Sequence, residues 1–315
     1  MKLRKFIIES EQANSKFKIQ NSKLNWRLYF SVQLFFRLLA IYCLLLTAQF
    51  TAHAQKIAVL VPEKTDRNEN FIGQFRNSLS AKFNVLDESL SETAFRSNAF
   101  ENPFNLSTVE AKNIGAAIGC EYFLLIKSAT QRRSSFQKEE FYESFAAVYV
   151  VSSRTGRLVI WKLQNFEAAK PEKAEKLLLD STGDLASDIF DKLRIITKAE
   201  TSERTNRKIE EVPDENTAEV KNLRPPLPYK RLKPEYTRLA YIYDVKATVD
   251  ISIDLDENGA VMRTEIVRWA GFGLDESVTE TVRRMNWRAA TRDGKTLPMR
   301  VLLRYNFKKI EKEEF

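Results

Sequence analysis

The chain has 315 residues, enough for two domains, and its 43% hydrophobic and 29% charged residues are the balance of a globular protein rather than a disordered one. Its formal net charge is +8, but residues 1–54 hold eight Lys or Arg against Glu9 and Glu11 and so carry +6 of it. The remainder is near +2, which excludes the basic footprint of a nucleic-acid-binding protein.

From Leu38 the sequence runs LLAIYCLLLTAQFTAHAQ, an apolar core behind a basic lead, ending in Ala52-His53-Ala54 before Gln55. That is the form of a secretory signal peptide with an A-x-A cleavage site, and it predicts export to the periplasm. Tyr29 to Phe50, taken as one stretch, is alternatively long enough for an inner-membrane anchor, with Arg37 reaching back to the interface. Cys43 follows Tyr42 rather than a small residue, which argues against a lipoprotein signal. Cleavage would leave no histidine, because His53 is the only one, and a single cysteine, Cys120. Ser-His-Asp and Cys-His nucleophiles, His-based zinc sites and an internal disulfide are then excluded. The nine glycines form no G-x-G-x-x-G or P-loop run, and no carboxylate pair stands out among the 42 acidic residues. No catalytic, cofactor or metal residue is expected, and the chain does not read as an enzyme.

Lys56 to Pro62, KIAVLVP, predicts a buried strand, Phe71 to Phe83 a helix, and Asn84 to Asp87 a second strand. Ser107 with Glu110 forms a capping box for a helix over Thr108 to Ile118, and Gly119 supplies its left-handed stop. Tyr122 to Lys127 follows as a strand, with Cys120 ahead of it as a small buried hydrophobe. Phe141 to Ser152 and Arg157 to Phe166 pair as a hairpin around Arg154-Thr155-Gly156. Pro171 opens one long helix to about Lys198, with Ala174, Leu177, Leu178, Leu185, Ile189 and Leu193 turned inward. Residues 55–198 thus read as an α/β domain. KIAVLVP followed by STVEAKNIGAAIGCEYFLLIKS resembles the amino-terminal domains of TolB-like and LpoB-like envelope proteins, which implies protein binding rather than catalysis.

Residues 199–224 are charged, aperiodic and poor in large apolar side chains, as a disordered linker would be. Such a linker spans roughly 30 Å as a coil. Arg224-Pro225-Pro226-Leu227-Pro228 would stiffen the approach to the next domain as polyproline II.

Asp254 to Glu265, DLDENGAVMRTE, has the residue spacing of an EF-hand calcium loop. Its flanks are not helical. Val249, Ile251, Ile253 and Leu255 alternate with polar residues, Val261 to Trp269 is rich in β-branched residues, and Asn258-Gly259 suits a type I′ hairpin with both residues at positive φ. The stretch therefore reads as a hairpin turn. A helix follows from Asp275 to Trp287, with Asp275 and Glu276 at the positive end of its dipole. After a turn at Asp293-Gly294, Leu297, Met299, Val301, Leu303, Tyr305 and Phe307 alternate with Pro298, Arg300, Leu302, Arg304, Asn306 and Lys308. This is a long strand with one buried face, and Pro298 and the outward cations mark it as a protected sheet edge. Such an edge is either a rail for an added peptide strand or an edge that binds nothing or pairs with its own copy in a homodimer.

KPEYTRLA (233–240), VDISIDLDENGAV (249–261), GFGLDESVTETVRRMNWRAATRDGKTLP (271–298) and the final strand resemble, in order, the carboxy-terminal domain of the TonB family. The resemblance implies an α+β fold overall: an exported two-domain protein with an α/β amino-terminal domain and a small ββαβ domain at residues 225–310. It also implies docking on outer-membrane transporters by strand addition to Arg300, Val301, Leu302, Leu303, Arg304, Tyr305, Asn306 and Phe307, with Lys233, Glu235 and Tyr236 in a second contact region. Other envelope proteins are further expected partners, and an inner-membrane proton-driven complex joins them if the amino terminus stays anchored. Thr237, Ala247 and Ala289 depart from the family's usual Pro, Gly and Pro, and Tyr29 to Phe50 lacks the His often found in the family's anchor. The alternative function is a soluble periplasmic scaffold or regulator that transduces no energy.

Overall fold

The computed structural model describes residues 54–97, 100–136, 139–202, 209–213 and 222–309. The expected signal peptide or anchor lies outside the described residues, as does much of the expected linker. Among the described residues no helix is long and apolar enough to cross a membrane.

Strand β1 (Lys56–Leu60) lies between β2 (Asn84–Val85) and β3 (Tyr122–Arg133), parallel to both. Strand β3 continues antiparallel into β4 (Phe141–Ser152) and β5 (Leu158–Ala168), giving the order β2-β1-β3-β4-β5. KIAVLVP has no polar alternation because both faces of this sheet are covered. On one face Ile57, Val59, Leu124, Ile126, Val148 and Val150 pack against Phe71, Phe75 and Leu79 of helix α1 (Asp66–Ser80). Helix α2 (Glu88–Arg96), not read from the sequence, and α3 (Thr108–Ile118) cover part of the other face. The capping box of α3 forms as expected: the Glu110 N–H donates to Ser107 Oγ at 3.2 Å, the Ser107 N–H to Glu110 at 2.6 Å, and Gly119 stops the helix at φ 77°. Cys120 is buried, and that burial pushes its thiol pKa up.

The single helix expected from Pro171 is two, α4 (Pro171–Asp180) and α5 (Thr182–Ser202). The Ser181 and Thr182 hydroxyls donate to the Leu178 and Leu179 carbonyls at 2.7 and 2.9 Å, competing with the helical ladder at the break. Leu177, expected to face inward, is 37% exposed, and Ala174 and Leu178 are the buried residues of α4. Helix α5 continues past Lys198 because Glu200 is buried, accepting from Ser152 at 3.0 Å, Thr155 at 2.9 Å and Tyr122 at 3.3 Å. A carboxylate withdrawn from water requires such donors.

Beyond α5 the described chain returns as β6 (Glu210–Glu211), β7 (Leu223–Arg224) and β8 (Leu227–Pro228), then the short helix α6 (Arg238–Ile242). Thr237 caps α6, accepting from the Ala240 N–H at 3.1 Å, a task for a hydroxyl where the resembled family has Pro. Strands β9 (Ala247–Leu255) and β10 (Val261–Arg268), helix α7 (Leu274–Arg283), the short strands β11 (Trp287–Arg288), β12 (Ala290–Arg292) and β13 (Lys295–Leu297), and the long β14 (Met299–Phe307) complete the fold. The second sheet has the order β10-β9-β14-β6. Strand β8 pairs with β11 and β7 with β12, so the Pro-rich approach is seated on this sheet's neighbours.

The β9–β10 turn is a hairpin, but of another type than expected. Only Gly259 has positive φ, at 83°; Asn258 does not. The Gly259 N–H donates to the Asp256 carbonyl at 3.1 Å, and the Asp256 carboxylate accepts from the N–H groups of Asn258 and Ala260 at 2.9 and 2.7 Å. The aspartate closes the turn itself, so Asn258 need not adopt the left-handed region. These donors, Ala260 first, hold the Asp256 carboxyl below the usual carboxylate range. With strands on both sides and Asp254 paired to Arg300, the EF-hand spacing belongs to this turn.

The free face of the first sheet and the second sheet share one core. Tyr149 of β4 stands 5.8 Å from the Trp269 ring, and Trp161 of β5 stands 4.8 Å from Phe272. Asn105, buried, spans the two: its amide nitrogen donates to the carbonyls of Thr248 at 2.8 Å and Trp269 at 2.7 Å, and its oxygen accepts from the Thr248 N–H at 2.8 Å. Glu110, besides capping α3, pairs with Arg268 at 3.2 Å.

At the start of α7, Asp275 accepts from the N–H groups of Ala270 and Gly271, both at 2.9 Å, beside an open cleft of about 610 Å³ between β5 and β10. Burial pushes its carboxyl up to about 7 from an ordinary 3.8, against the pull of those two N–H groups. A carboxyl raised by folding contributes stability that is complete below the unfolded value and is lost as pH rises through the folded one. The melting temperature is therefore expected to fall between about pH 4 and pH 7. A thermal scan across this range should show a smaller fall in Asp275→Asn; an equal fall in both proteins would assign the dependence elsewhere.

Candidate docking edge

Strand β14 pairs with β9 along its whole length, from Met299 opposite Leu255 to Phe307 opposite Ala247. Its alternation is the one read from the sequence. Met299, Tyr305 and Phe307 are buried and Val301 and Leu303 half-buried, while Leu302, Arg304 and Asn306 are exposed on the other face, with Arg300 half-buried among them.

On that outer face the two arginines turn back onto β9. Arg300 grips Asp254 through Nε at 2.6 Å and Nη2 at 3.0 Å, and Arg304 grips Asp250 at 2.8 and 2.9 Å. Both aspartates are 5% exposed. Bidentate pairs of this kind are directional and fix β14 in register. Asn306 accepts from the Thr248 hydroxyl at 2.9 Å. Arg304 and Asn306 are thus turned back onto β9, Arg300 keeps only its Nη1 for the open side, and the strand otherwise presents backbone there.

The direction of that backbone follows from one hydrogen bond. The Val212 N–H donates to the Arg300 carbonyl at 3.1 Å from the side away from β9. In a strand the N–H and C=O of one residue point the same way and successive residues alternate. Arg300, Leu302, Arg304 and Asn306 therefore aim their backbone groups outward. The Arg304 carbonyl accepts from the Arg231 guanidinium at 2.5 Å, with that guanidinium 5.0 Å from the centre of the Tyr305 ring. Leu302 lies between these two contacts, 57% exposed, and among the described residues no strand runs beside it.

Of the second contact region, Tyr236 reaches β14. Its ring stacks on Phe307 at 6.3 Å, and its hydroxyl shares its one proton between the carbonyls of Val245 at 2.8 Å and Ala240 at 3.0 Å. Lys233 and Glu235 are exposed on the same segment. Sequence reasoning missed Arg231 and the segment 209–212, which meet the edge from distant parts of the chain, and Arg292, which holds Glu210.

Residues 233–308 match the family described as Gram-negative bacterial TonB protein C-terminal. No curated protein matches the chain. Among solved structures, the chain is similar to the Pseudomonas aeruginosa TonB CTD, at 16% identity over 32% of this chain and 95% of that one, with a TM-score of 0.24. It is also similar to a lipoprotein from Neisseria meningitidis, at 16% identity over 44% of this chain and 98% of that one, with a TM-score of 0.30. A third is the LpoB C-terminal domain from Salmonella enterica, at 15% identity over 37% of this chain and 86% of that one, with a TM-score of 0.25. The TonB C-terminal family is thus the one that residues 233–308 match, and the whole of β14 lies inside the matched segment.

Proposed function

We propose that this envelope protein captures an extended segment of an outer-membrane transporter, or of another envelope protein, by strand addition to β14, in support of transport. The observation that carries the reading is the outward backbone of β14 at Leu302, on a strand held rigid by a full ladder to β9 and two bidentate Arg–Asp pairs. Backbone hydrogen bonds would supply the affinity, and neighbouring side chains such as Leu302 the selectivity. Direct energy transduction further requires that residues 1–54 remain in the inner membrane.

The alternation gives a residue-by-residue test. Short synthetic peptides from the periplasm-facing termini of outer-membrane transporters are added to the protein, and amide hydrogen exchange is followed along β14. Exchange is expected to slow at Leu302, Arg304 and Asn306, and to stay unchanged at Val301 and Leu303, which already face β9. Peptide binding without any change at Leu302 would sink the edge mechanism.

A further inference from the structure

The start of the edge is already taken. Strand β6 lies beside β14 in parallel, with Glu210 opposite Met299 and Glu211 opposite Arg300. Three kinds of contact hold it there besides the Val212 hydrogen bond. Glu210 faces the Arg292 guanidinium with both carboxylate oxygens, one of them 3.1 Å from Nη1. Glu211 reaches Arg300 at 3.4 Å. Val212 joins Leu223, Ala290, Leu297 and Met299 in a small apolar cluster. Adjacent glutamates are poor strand formers, so the pairing is imposed by the edge and its arginines rather than by the segment's own preference.

We propose that residues 209–213 are a tethered occupant of the docking edge, which an incoming strand must displace, and that the displacing strand presents acidic side chains to Arg292 and Arg300. The proposal rests on the docking reading given above and adds its regulation and its charge selectivity. Only residues 214–221 separate Pro213 from the seated chain at Asn222, so the occupant can withdraw by no more than roughly 30 Å. A segment on so short a leash competes at an effective concentration on the order of millimolar. With an intrinsic dissociation constant of about 100 µM for the segment itself, any free competitor is then weakened about tenfold. The ion pairs of the occupant lie at the surface, with Glu211 72% exposed, so they are screened by salt and can be broken without opening the core. The edge would be closed to short or uncharged strands and would yield to a longer acidic one that also displaces Arg231 from Arg304.

The test uses the full chain and a fluorescent synthetic peptide with the sequence of residues 207–215, RKIEEVPDE, read by anisotropy. A variant carrying Glu210→Lys and Glu211→Lys releases the occupant by charge repulsion at two exposed positions. It is expected to bind the peptide about tenfold more tightly than the unaltered chain. A peptide with both glutamates changed to lysine should bind neither protein, and adding Arg292→Ala to the variant should weaken its binding of RKIEEVPDE, because Arg292 is the partner of Glu210. Equal affinity of the RKIEEVPDE peptide for both chains, or no binding to the variant, overturns the tether. Transporter peptides that bind the variant and are unaffected by adding Leu302→Pro to it sink the docking reading itself. Transporter peptides that bind both chains equally well sink only the tether.

Discussion

Replacing Trp269 with Ala is expected to destabilise the protein by about 3–5 kcal/mol. Trp269 is 1% exposed and belongs to the core that the first sheet shares with the second. Its ring packs on Tyr149, its indole N–H donates to the Gly156 carbonyl at 3.2 Å, and its own backbone bonds to Leu106 and Asn105. Truncation would leave a cavity and an unpaired carbonyl in one place, and the close packing of Gly156 against Thr108 leaves little room to collapse into it. Urea unfolding followed by fluorescence reads the loss. A fall below about 1 kcal/mol would mean that the two sheets do not depend on a common core.

The substitution Leu302→Pro is expected to lower the affinity for transporter peptides by tenfold or more while leaving the fold intact. The Leu302 N–H points away from β9, so proline there removes no bond of the ladder, and edge positions of this kind are where sheets tolerate proline. An added strand loses one donor worth about 1 kcal/mol and meets the ring besides. Leu303→Pro is the control, because its N–H faces β9 and its loss should unfold the sheet. Arg304→Ala should affect docking far less, since its side chain serves Asp250. Unchanged affinity in Leu302→Pro, measured by peptide titration, would count against strand addition.

The parts of this fold that were legible in the sequence are those whose cause is local. The Ser107–Glu110 box, the alternation of β9 and β14 and the apolar run of β1 each declare themselves within a few residues, and each is where it was expected. The break at Ser181 was hidden because Ala174 and Leu178 before it and Leu185 and Ile189 after it keep helical spacing. The turn at Asp256 was misread because a side chain does there what the backbone of Asn258 was expected to do. The long edge strand β14 itself could be read, but the segment lying beside it could not. Glu210 and Arg292 are 82 residues apart, and two glutamates in a charged stretch carry no strand signal. The resemblance to the TonB family located the edge without saying what lies against it.

The ladder between β14 and β9 also decides how a load would travel. A docked strand pulled along its length would stress the nine β14–β9 pairs in shear, so that they bear together instead of peeling one by one. From β9 the stress passes at Thr248 to the Asn105 side chain, and through it to the loop that leads into α3 of the first sheet's layer. Under such a pull the amino-terminal layer would serve as anchorage for the edge, an abutment joined to it at Asn105 rather than a separate module carried beside it.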